Sequence, residues 1–153
     1  MNNTDTVIVN LKGSSIVDVP VKPFFTVAND NITFSAADTS ISASFNVSRL
    51  DATKTADRVS LHLGLTTFVD AVSNQIPLPA ANNDKAPASD YLTAASTFKL
   101  FLNPARYSGT ANAELRRQLT MALQSGYLFA RVAVRTTGVT ERFYSQVKQI
   151  NLK

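Results

Sequence analysis

The stretch ISASFNVSR at residues 41–49 decides the fold, because apolar and polar side chains alternate along it without interruption. Successive side chains on a β-strand point to opposite faces, so this alternation predicts a strand with one buried and one polar face. Residues 59–68 (VSLHLGLTTF) and residues 92–102 (LTAASTFKLFL) show a similar alternation. Together the three stretches predict an antiparallel sheet with one buried face and one wide polar face.

Further short strands are predicted before these three. Residues 6–11 and 16–21 predict an N-terminal hairpin, because a Lys-Gly-Ser-Ser turn separates two apolar-rich runs. Residues 24–28 and 32–36 predict a second pair around an Asn-Asp-Asn turn, whose residues tolerate left-handed conformations. We therefore expect about seven antiparallel strands, namely the N-terminal hairpin and a main five-stranded sheet.

One amphipathic helix is predicted after the sheet, at residues 110–126. Glu114 lies in its first turn, and Gly126 stands where a left-handed C-terminal cap is common. Four apolar residues recur on one face at helical spacing: Leu115, Leu119, Ala122 and Leu123. Between the second and third alternating strands, residues 70–90 predict a loop, because they hold three prolines among small and polar residues.

The C-terminal segment leaves two interpretations open. Residues 129–135 alternate and predict a strand, and a Thr-Gly pair after them predicts a turn. Beyond the turn, the spacing of Phe143, Val147 and Ile150 fits a helix, but a return strand fits as well, and a β-hairpin is the preferred interpretation. The expected class is α+β, mainly β, in a single domain over residues 1–153, made of a hairpin (1–22), a main sheet (24–103), the helix (110–126) and an extension (127–153).

Composition bounds the class of protein. A chain of 153 residues with 44% hydrophobic residues is long enough for one domain with a core. It has no cysteine, which excludes disulfides, thiolate metal sites and a cysteine nucleophile. No apolar run approaches the ~20 residues that cross a bilayer, and no secretory signal is recognised, so we expect the chain to stay in the cytoplasm. The net charge of +4 is compatible with a polyanionic partner and equally with an ordinary solvated surface.

Residues suited to catalysis are few. The single histidine, His62, is a candidate general base or nucleic-acid contact, but a polar residue on a half-solvated sheet face is the simpler interpretation. No phosphate-binding loop, nucleophile elbow or zinc-protease motif occurs. We therefore expect no enzymatic activity, no cofactor and no metal. Four aspartates fall in predicted loops, where turn formation explains them: Asp51, Asp57, Asp70 and Asp84.

The polar face of the sheet is the candidate binding surface. If the three alternating strands are neighbours, Lys99 and Arg58 can grip a phosphate backbone while Tyr91 stacks on an unpaired base. A solvated face, which antiparallel sheets ordinarily have, is the simpler alternative. The other polar side chains of this surface are Asn46, Arg49, Ser60, His62 and Thr97. Should the face be merely solvated, RNA contact is to be sought on the basic C-terminal stretch with Arg131, Arg135 and Lys148.

The order of these elements resembles the coat protein of single-stranded RNA bacteriophages, the leviviruses. The similarity is strongest from YLTAASTFKLFL at residues 91–102 to AELRRQLTMALQSG at residues 113–126, where a strand runs through a short loop into a helix with an acidic-then-leucine pattern. The resemblance implies joined sheets that face the shell interior and bind a hairpin of genomic RNA. It makes RNA-binding candidates of Tyr91, Thr93, Thr97, Lys99, Ser60, His62, Asn46 and Ser48.

The same resemblance implies an interlocked homodimer, in which the helix of each subunit crosses the sheet of the other. The implied interface residues are Leu115, Leu119, Ala122, Leu123, Phe98, Leu100 and Leu102. A capsid protein of this kind assembles into an icosahedral T=3 shell, is made in the cytoplasm of a bacterial host and resides in the virion. Its partners are copies of itself and single-stranded RNA, with no membrane and no small-molecule substrate. The alternative function is a non-enzymatic β-rich structural or adhesion module, pilus-like or tail-like, without RNA binding.

Overall fold

The computed structural model describes residues 23–72 and 76–153. The predicted N-terminal hairpin at residues 6–21 lies outside the described residues. The strands are β1 (Phe25–Ser35), β2 (Ser40–Arg49), β3 (Ala56–Gly64), β4 (Asp84–Lys85), β5 (Ser96–Phe101), β6 (Tyr127–Thr136), β7 (Arg142–Tyr144) and β8 (Lys148–Asn151). The helices are α1 (Ala80–Asn83) and α2 (Ala113–Ser125), and two short 3₁₀ turns precede α2, at Pro104–Arg106 and Thr110–Asn112.

The strands form two antiparallel sheets rather than the one main sheet that the sequence predicts. One sheet has three strands in the order β1, β2, β5. The other has the order β4, β3, β6, β7, and β8 also pairs with β6. Since both sheets contribute side chains to one hydrophobic core, they pack face to face as a β-sandwich. The prediction of a mainly β, α+β fold is confirmed, while the arrangement in one sheet is wrong.

The core is built from the apolar halves of the alternating strands. On β2, Ile41 and Phe45 are fully buried, and on β3 Leu61 and Leu63 are too. The ring of Phe45 stacks on that of Phe98 at 6.2 Å between centroids, almost parallel. Because β2 and β3 bury apolar side chains between two sheets, the strict alternation of the sequence identifies core strands correctly but cannot say which strands share a sheet.

One long strand, β1, replaces the predicted hairpin at residues 24–36. Its pairing with β2 shifts register between Ala28 and Asn31, which places a bulge at the Asn-Asp-Asn triplet. A bulge accommodates the extra residues without reversing the chain. Asp30 in this bulge is held by Lys148 of β8, whose Nζ lies 3.1 Å from its carboxylate. The hairpin prediction was wrong because a bulge and a turn favour the same residue types.

The other strands are shorter than their alternating stretches. β3 ends at Gly64, so residues 65–68 lie outside it. β5 begins at Ser96, because Thr93 and Ala94 fold into a turn whose backbone N–H groups donate to the carbonyl of Asp90 at 3.2 and 2.7 Å. Within the predicted loop at residues 70–90, the described part also contains α1 and β4, and β4 extends the five-stranded sheet by pairing with β3.

The predicted helix is confirmed as α2. Gly126 adopts a left-handed conformation at its C-terminus (φ 79°), and its N–H donates to the carbonyl of Ala122 at 3.0 Å. Leu115, Leu119 and Ala122 are buried in the core of their own chain. Neither helix in the described residues has the length and apolar character needed to cross a bilayer.

The predicted dimer interface therefore lies inside the subunit. Leu123 is half-buried against the same core. Phe98, Leu100 and Leu102 are buried there as well. Their side chains already have apolar neighbours, so they are not available to cover a second subunit, and the premise of an uncovered sheet is wrong. The homodimer itself stays a prediction.

The C-terminal extension folds as strands, as preferred from the sequence. β6 crosses the five-stranded sheet beside β3, and both β7 and β8 return alongside it. β1 of the other sheet also lies against β6, β7 and β8, which joins the two sheets at that side of the sandwich. The extension is therefore part of the five-stranded sheet and positions the side chains of the candidate binding face.

Candidate binding face

The outward side of the five-stranded sheet brings arginines together from three strands. In the strand register Arg58 of β3 lies opposite Arg135 of β6, which lies opposite Arg142 of β7. Four residues along both strands, Arg131 of β6 lies opposite His62. Cross-strand partners project from the same face of a sheet. We call this surface, formed by Arg58, Arg131, Arg135, Arg142 and Tyr144, the arginine face.

Two of these arginines are neutralised by aspartates. Arg135 binds Asp57 through two hydrogen bonds of 3.1 and 2.9 Å. Arg142 binds Asp84 of β4 in the same two-pronged way, at 3.3 and 3.2 Å, and also donates to the hydroxyl of Ser60. Such paired bonds fix the orientation of a guanidinium group more firmly than a single contact. The row of like charges is therefore held in place by carboxylates interleaved with it.

Asp84 is the carboxylate most deeply set among these arginines. Burial raises the pKa of Asp84, but the hydrogen bond and charge of Arg142, the Ser60 hydroxyl and the charge of Arg58 outweigh it, so the pKa lies below its ordinary value of 3.8. The side chains of Arg142 and Asp84 remain only 14% and 27% exposed. Asp84 is thus an ionised partner of Arg142 rather than a group ready to donate a proton.

Arg131 and Tyr144 form the second feature of the arginine face. The guanidinium carbon of Arg131 lies 3.9 Å from the centroid of the Tyr144 ring, a cation–π contact. The same ring lies 5.7 Å from that of His62. Its hydroxyl accepts a hydrogen bond from the backbone N–H of Ala71 at 3.1 Å. Tyr144 therefore ties the loop after β3 to the sheet and supports the guanidinium group of Arg131.

A cavity of about 500 Å³ opens beside this contact, and we call it the arginine–tyrosine pocket. It is lined by Asp70, Ala71, Val72, Arg131, Thr140, Glu141, Arg142 and Tyr144. The loop at residues 70–72 forms one wall, where the N–H of Val72 donates to the carboxylate of Asp70 at 2.7 Å. The lining combines guanidinium donors, carboxylate and hydroxyl acceptors, and an aromatic ring. That set of groups suits a ligand rich in hydroxyl or anionic groups.

Two arginines of this face form no salt bridge within residues 23–72 and 76–153. They are Arg58, which is exposed, and Arg131. The Nε–H of Arg131 is buried and donates to no described residue. A buried donor without a partner is costly, and native proteins rarely leave one without a ligand, an ion or water to satisfy it.

The outward side of the three-stranded sheet has a different character. Its register sets Asn31, Ser44 and Thr97 in one cross-strand row, and Thr33, Ser42 and Lys99 in the next. We call the surface of these six residues the hydroxyl face. They line a cavity of about 300 Å³ together with Ala43 and Phe98. Lys99 pairs with Asp38 at 2.6 Å in a position exposed to water.

The predicted RNA-binding residues do not form one surface. Thr97 and Lys99 lie on the hydroxyl face, whereas Arg58 lies on the opposite side of the sandwich. Ser60 and His62 are buried, with 0% and 3% of their surface exposed. The expectation of one shared polar face was wrong because β3 pairs with β6 instead of with β2 or β5.

The remaining predicted RNA-binding residues are engaged elsewhere or lie at the rim of the small sheet. Tyr91 is half-buried, packs edge-on against Phe25 and accepts a hydrogen bond from the N–H of Ala56, so it presents no free ring to a base. The side-chain amide of Asn46 donates a long hydrogen bond to the backbone carbonyl of Thr93. The hydroxyl of Thr93 donates to the carboxylate of Asp90. Ser48 and Arg49 are exposed at the end of β2.

The four aspartates divide into two kinds. Asp51 and Asp70 each accept from the N–H two residues ahead, which confirms the predicted role in turns. Asp57 lies on β3 and Asp84 on β4, and both bind arginines, so a turn role was wrong for them. Within residues 23–72 and 76–153, no group of three or more His, Asp or Glu side chains is arranged to hold a metal ion.

Tyr144, Arg142 and the two paired aspartates are the site residues that the sequence did not single out. Arg131 and Arg135 were recognised only as part of a basic stretch. Their signal is the alternation of Arg131, Ala133 and Arg135 with Val132 and Val134, which places both arginines on the face opposite the core. The alternation of residues 142–144 gives the same signal for β7.

The comparisons with known proteins point away from viruses. A family model described as "Domain of unknown function (DUF3823_C)" matches residues 25–149. Among curated proteins, none matches this chain. The resemblance to levivirus coat proteins is therefore wrong, and with it the expectations of an RNA-packaging capsid and of location in a virion. A strand–loop–helix succession with alternating residues recurs in unrelated β folds, which is why it misled.

Solved structures of proteins from Bacteroides and Parabacteroides share the fold. A DUF3823 family protein from Parabacteroides merdae ATCC 43184 has a TM-score of 0.66 and 26% identity over 99% of this chain and 64% of its own. One from Bacteroides ovatus ATCC 8483 has a TM-score of 0.62 and 22% identity, over 99% of this chain and 68% of its own. A "putative carbohydrate binding protein" from Bacteroides uniformis ATCC 8492 has a TM-score of 0.56 and 14% identity, over 85% and 58%. This chain thus spans about three fifths to two thirds of the length of each.

Proposed function

The chain belongs to the DUF3823_C family, and from that membership and the geometry of the arginine face we propose that it is a non-catalytic carbohydrate-binding module. This proposal is a specific form of the alternative function, a β-rich adhesion module without RNA binding. The description of the Bacteroides uniformis neighbour supports it at the level of a shared fold. The ligand site of this proposal is the arginine–tyrosine pocket.

One observation carries the proposal: the guanidinium group of Arg131 is stacked on Tyr144 and borders an open cavity that also holds carboxylates. A guanidinium group can donate to two neighbouring sugar oxygens, and a carboxylate can accept from two hydroxyl groups. Val72 adds an apolar contact at the rim, since its side chain is 93% exposed. Donors, acceptors and an apolar edge around one cavity match the mixed surface of a saccharide.

The carboxylates of the arginine face favour binding over glycoside hydrolysis. A hydrolase of this kind needs one carboxyl group with a raised pKa as its general acid. The net pKa of Asp84 is lowered instead. Asp57 has both carboxylate oxygens engaged by Arg135. Neither Asp57 nor Asp84 is suited to protonate a leaving oxygen, which supports binding of the ligand without hydrolysis.

The experiment is a binding screen of the purified chain against a panel of neutral and charged polysaccharides by affinity electrophoresis. We expect retardation by at least one of them and no release of reducing sugar on prolonged incubation. Replacing Val72 by Asp should weaken the retardation, because it removes an apolar rim contact without disturbing the core.

Leu50→Asp is the matched control. Leu50 is 44% exposed directly after β2, beside the other sheet, and its replacement adds the same charge. Binding unaffected by Val72→Asp but lost in Leu50→Asp would move the site to the three-stranded sheet. If no polysaccharide in the panel retards the wild-type chain, the carbohydrate-binding function is wrong.

A further inference from the structure

We propose that the ligand of the arginine–tyrosine pocket carries an anionic group, a carboxylate or a sulfate ester, and that Arg131 binds this group. The inference rests on the proposed function, because it names the class of saccharide that the pocket takes. It concerns the guanidinium group that is stacked on Tyr144 rather than the whole set of donors and acceptors that line the pocket.

The first support is the state of Arg131 itself. Its Nε–H is buried, it donates to no described residue, and Arg131 enters no salt bridge in the described part of the chain. The stack on Tyr144 holds the guanidinium plane, and Arg131 borders the arginine–tyrosine pocket. A partly desolvated cation without a counter-charge is best satisfied by an anion, since hydrogen bonds between charged groups are about twice as strong as neutral ones.

The second support is the balance of charge around it. Within the arginine face, Asp57 and Asp84 neutralise Arg135 and Arg142, and no other carboxylate forms a salt bridge with this face among the described residues. The exposed Arg58 also has no ion-pair partner there. Two arginines therefore remain to attract a negatively charged ligand along one side of the sandwich.

The carboxylates that line the pocket do not cancel this attraction. Glu141 is exposed at the rim, where water screens its charge. Asp70 uses one oxygen to accept from the N–H of Val72, which shapes the loop wall. Glu141 is placed to accept from a hydroxyl group of a sugar ring while the anionic group of the sugar reaches Arg131. A wholly neutral sugar would leave the guanidinium group without a counter-charge, and that costs binding energy.

The test compares polysaccharides that differ only in charge. Polygalacturonate is paired with its carboxyl-reduced, neutral form, and dextran sulfate with dextran. Isothermal titration of the wild-type chain should show tighter binding to at least one charged member than to its neutral counterpart. Which pair shows the difference tells whether the pocket takes a carboxylate or a sulfate ester.

Variants locate the effect. We expect Arg131→Gln to raise the Kd for the charged polysaccharide by about 10- to 100-fold, the loss of one or two charge-assisted hydrogen bonds. Arg49→Gln removes the same charge from the exposed end of β2 and should leave the Kd unchanged. Arg131→Lys keeps the charge but not the planar donor pair, so its Kd should fall between the two, and it serves if Arg131→Gln does not fold.

Four outcomes would overturn the inference. Equal affinity for charged and neutral polysaccharides, lost in Val72→Asp, would leave the carbohydrate site standing and reject its anionic ligand. Equal weakening by Arg131→Gln and Arg49→Gln would mean that net charge alone attracts the polymer. Binding of duplex DNA as tight as that of the charged polysaccharide, with the same dependence on Arg131, would show a general polyanion surface. Absence of binding to every polysaccharide would reject the carbohydrate-binding function itself.

Discussion

The outer faces of the two sheets are covered by different kinds of side chain. The hydroxyl face covers its three strands with serine, threonine and asparagine, and the pair between Lys99 and Asp38 lies in water. The arginine face covers its strands with long side chains that bridge from one strand to the next. Short side chains do not bridge neighbouring strands, whereas long side chains connect the strands and bury the residues beneath them.

This difference determines where a ligand site can form. On the arginine face, Arg142 and Tyr144 reach over Ser60 and His62, which are nearly inaccessible. The loop tethered through Tyr144 adds a wall, and a cavity of about 500 Å³ results. The hydroxyl face has a cavity of about 300 Å³, lined mostly by short side chains. The larger of these two cavities and the fixed charges beside it are therefore properties of the arginine face.

We expect the largest effect from breaking the ion pair between Asp84 of β4 and Arg142 of β7. Arg142→Ala should destabilise the protein by about 2–3 kcal/mol, because it leaves the partly buried Asp84 carboxylate with the Ser60 hydroxyl but without its charged partner, and removes the donor to that hydroxyl. Urea denaturation with a fixed m-value measures this. Lys99→Ala is the counterpart on the hydroxyl face and should change stability far less, since water screens its pair with Asp38. Similar losses in both variants would erase the energetic difference between the faces.

The next effect follows from the lowered pKa of Asp84. The pKa of Asp84 is lower in the folded protein than in the unfolded chain. Its carboxylate therefore stabilises the fold at pH values above the pKa of the unfolded chain. This stabilisation is lost as the pH falls through the pKa of the folded protein. Asp84→Asn should therefore be less stable than the wild type at pH 6, and the difference should shrink as the pH falls below the ordinary value of 3.8 toward the lower pKa of the folded protein. We expect a smaller difference than for Arg142→Ala, because a neutral side chain still offers an acceptor. Denaturation at stepped pH measures it.

Asp38→Asn supplies the same test on the hydroxyl face. Hydrogen bonds from Lys99, Ser40 and Ser35 lower the pKa of Asp38 too, but its pair with Lys99 is exposed. The pH-dependent difference from wild type should be smaller there than for Asp84→Asn. A larger one would show that screening by water does not separate the two faces.

Sequence patterns predicted the elements of this fold better than their assembly. Alternation placed β2, β3 and β6 correctly, and Gly126 marked the end of α2. These features depend on residues close in sequence, where periodicity and capping act. Which strands become neighbours depends on contacts between distant residues, and alternation is the same for a strand in either sheet.

The candidate site was harder still to predict from the sequence, because it depends on contacts between residues that are distant in the chain. Asp57 and Asp84 become visible as arginine partners only when β4 and the bulge near residue 56 bring them beside β6 and β7. Tyr144 is one of four tyrosines, and nothing local distinguishes it. Its role comes from Arg131 and Ala71, which are remote in sequence. The resemblance to coat proteins then joined residues of different sheets into one surface that does not exist.

We expect a smaller effect from removing the hydrogen bond between the Ala71 N–H and the Tyr144 hydroxyl, which holds the loop at residues 70–72 against the sheet. Tyr144→Phe removes the acceptor of the Ala71 N–H but keeps the ring under Arg131, so we expect a loss of about 0.5–1.5 kcal/mol. Hydrogen exchange at the Ala71 amide should become faster, as measured by NMR. Tyr107→Phe removes a comparable bond to the carbonyl of Phe101, near the hydroxyl face, and should leave that amide unchanged. Unaltered exchange in Tyr144→Phe would mean that other contacts hold the wall.

The smallest expected effect is on the hydroxyl face itself. Ser42 lies at the centre of its row, between Thr33 and Lys99, and its exposed hydroxyl forms no bond to a described residue. Ser42→Ala should therefore change stability by no more than about 0.5 kcal/mol and leave polysaccharide binding intact. Urea denaturation and affinity electrophoresis measure the two quantities on the same sample. Since Ser42→Ala disturbs no packed side chain, a clear loss of binding would have to come from the missing hydroxyl. That result would place the ligand on the hydroxyl face and reverse the assignment of the two sides of the sandwich.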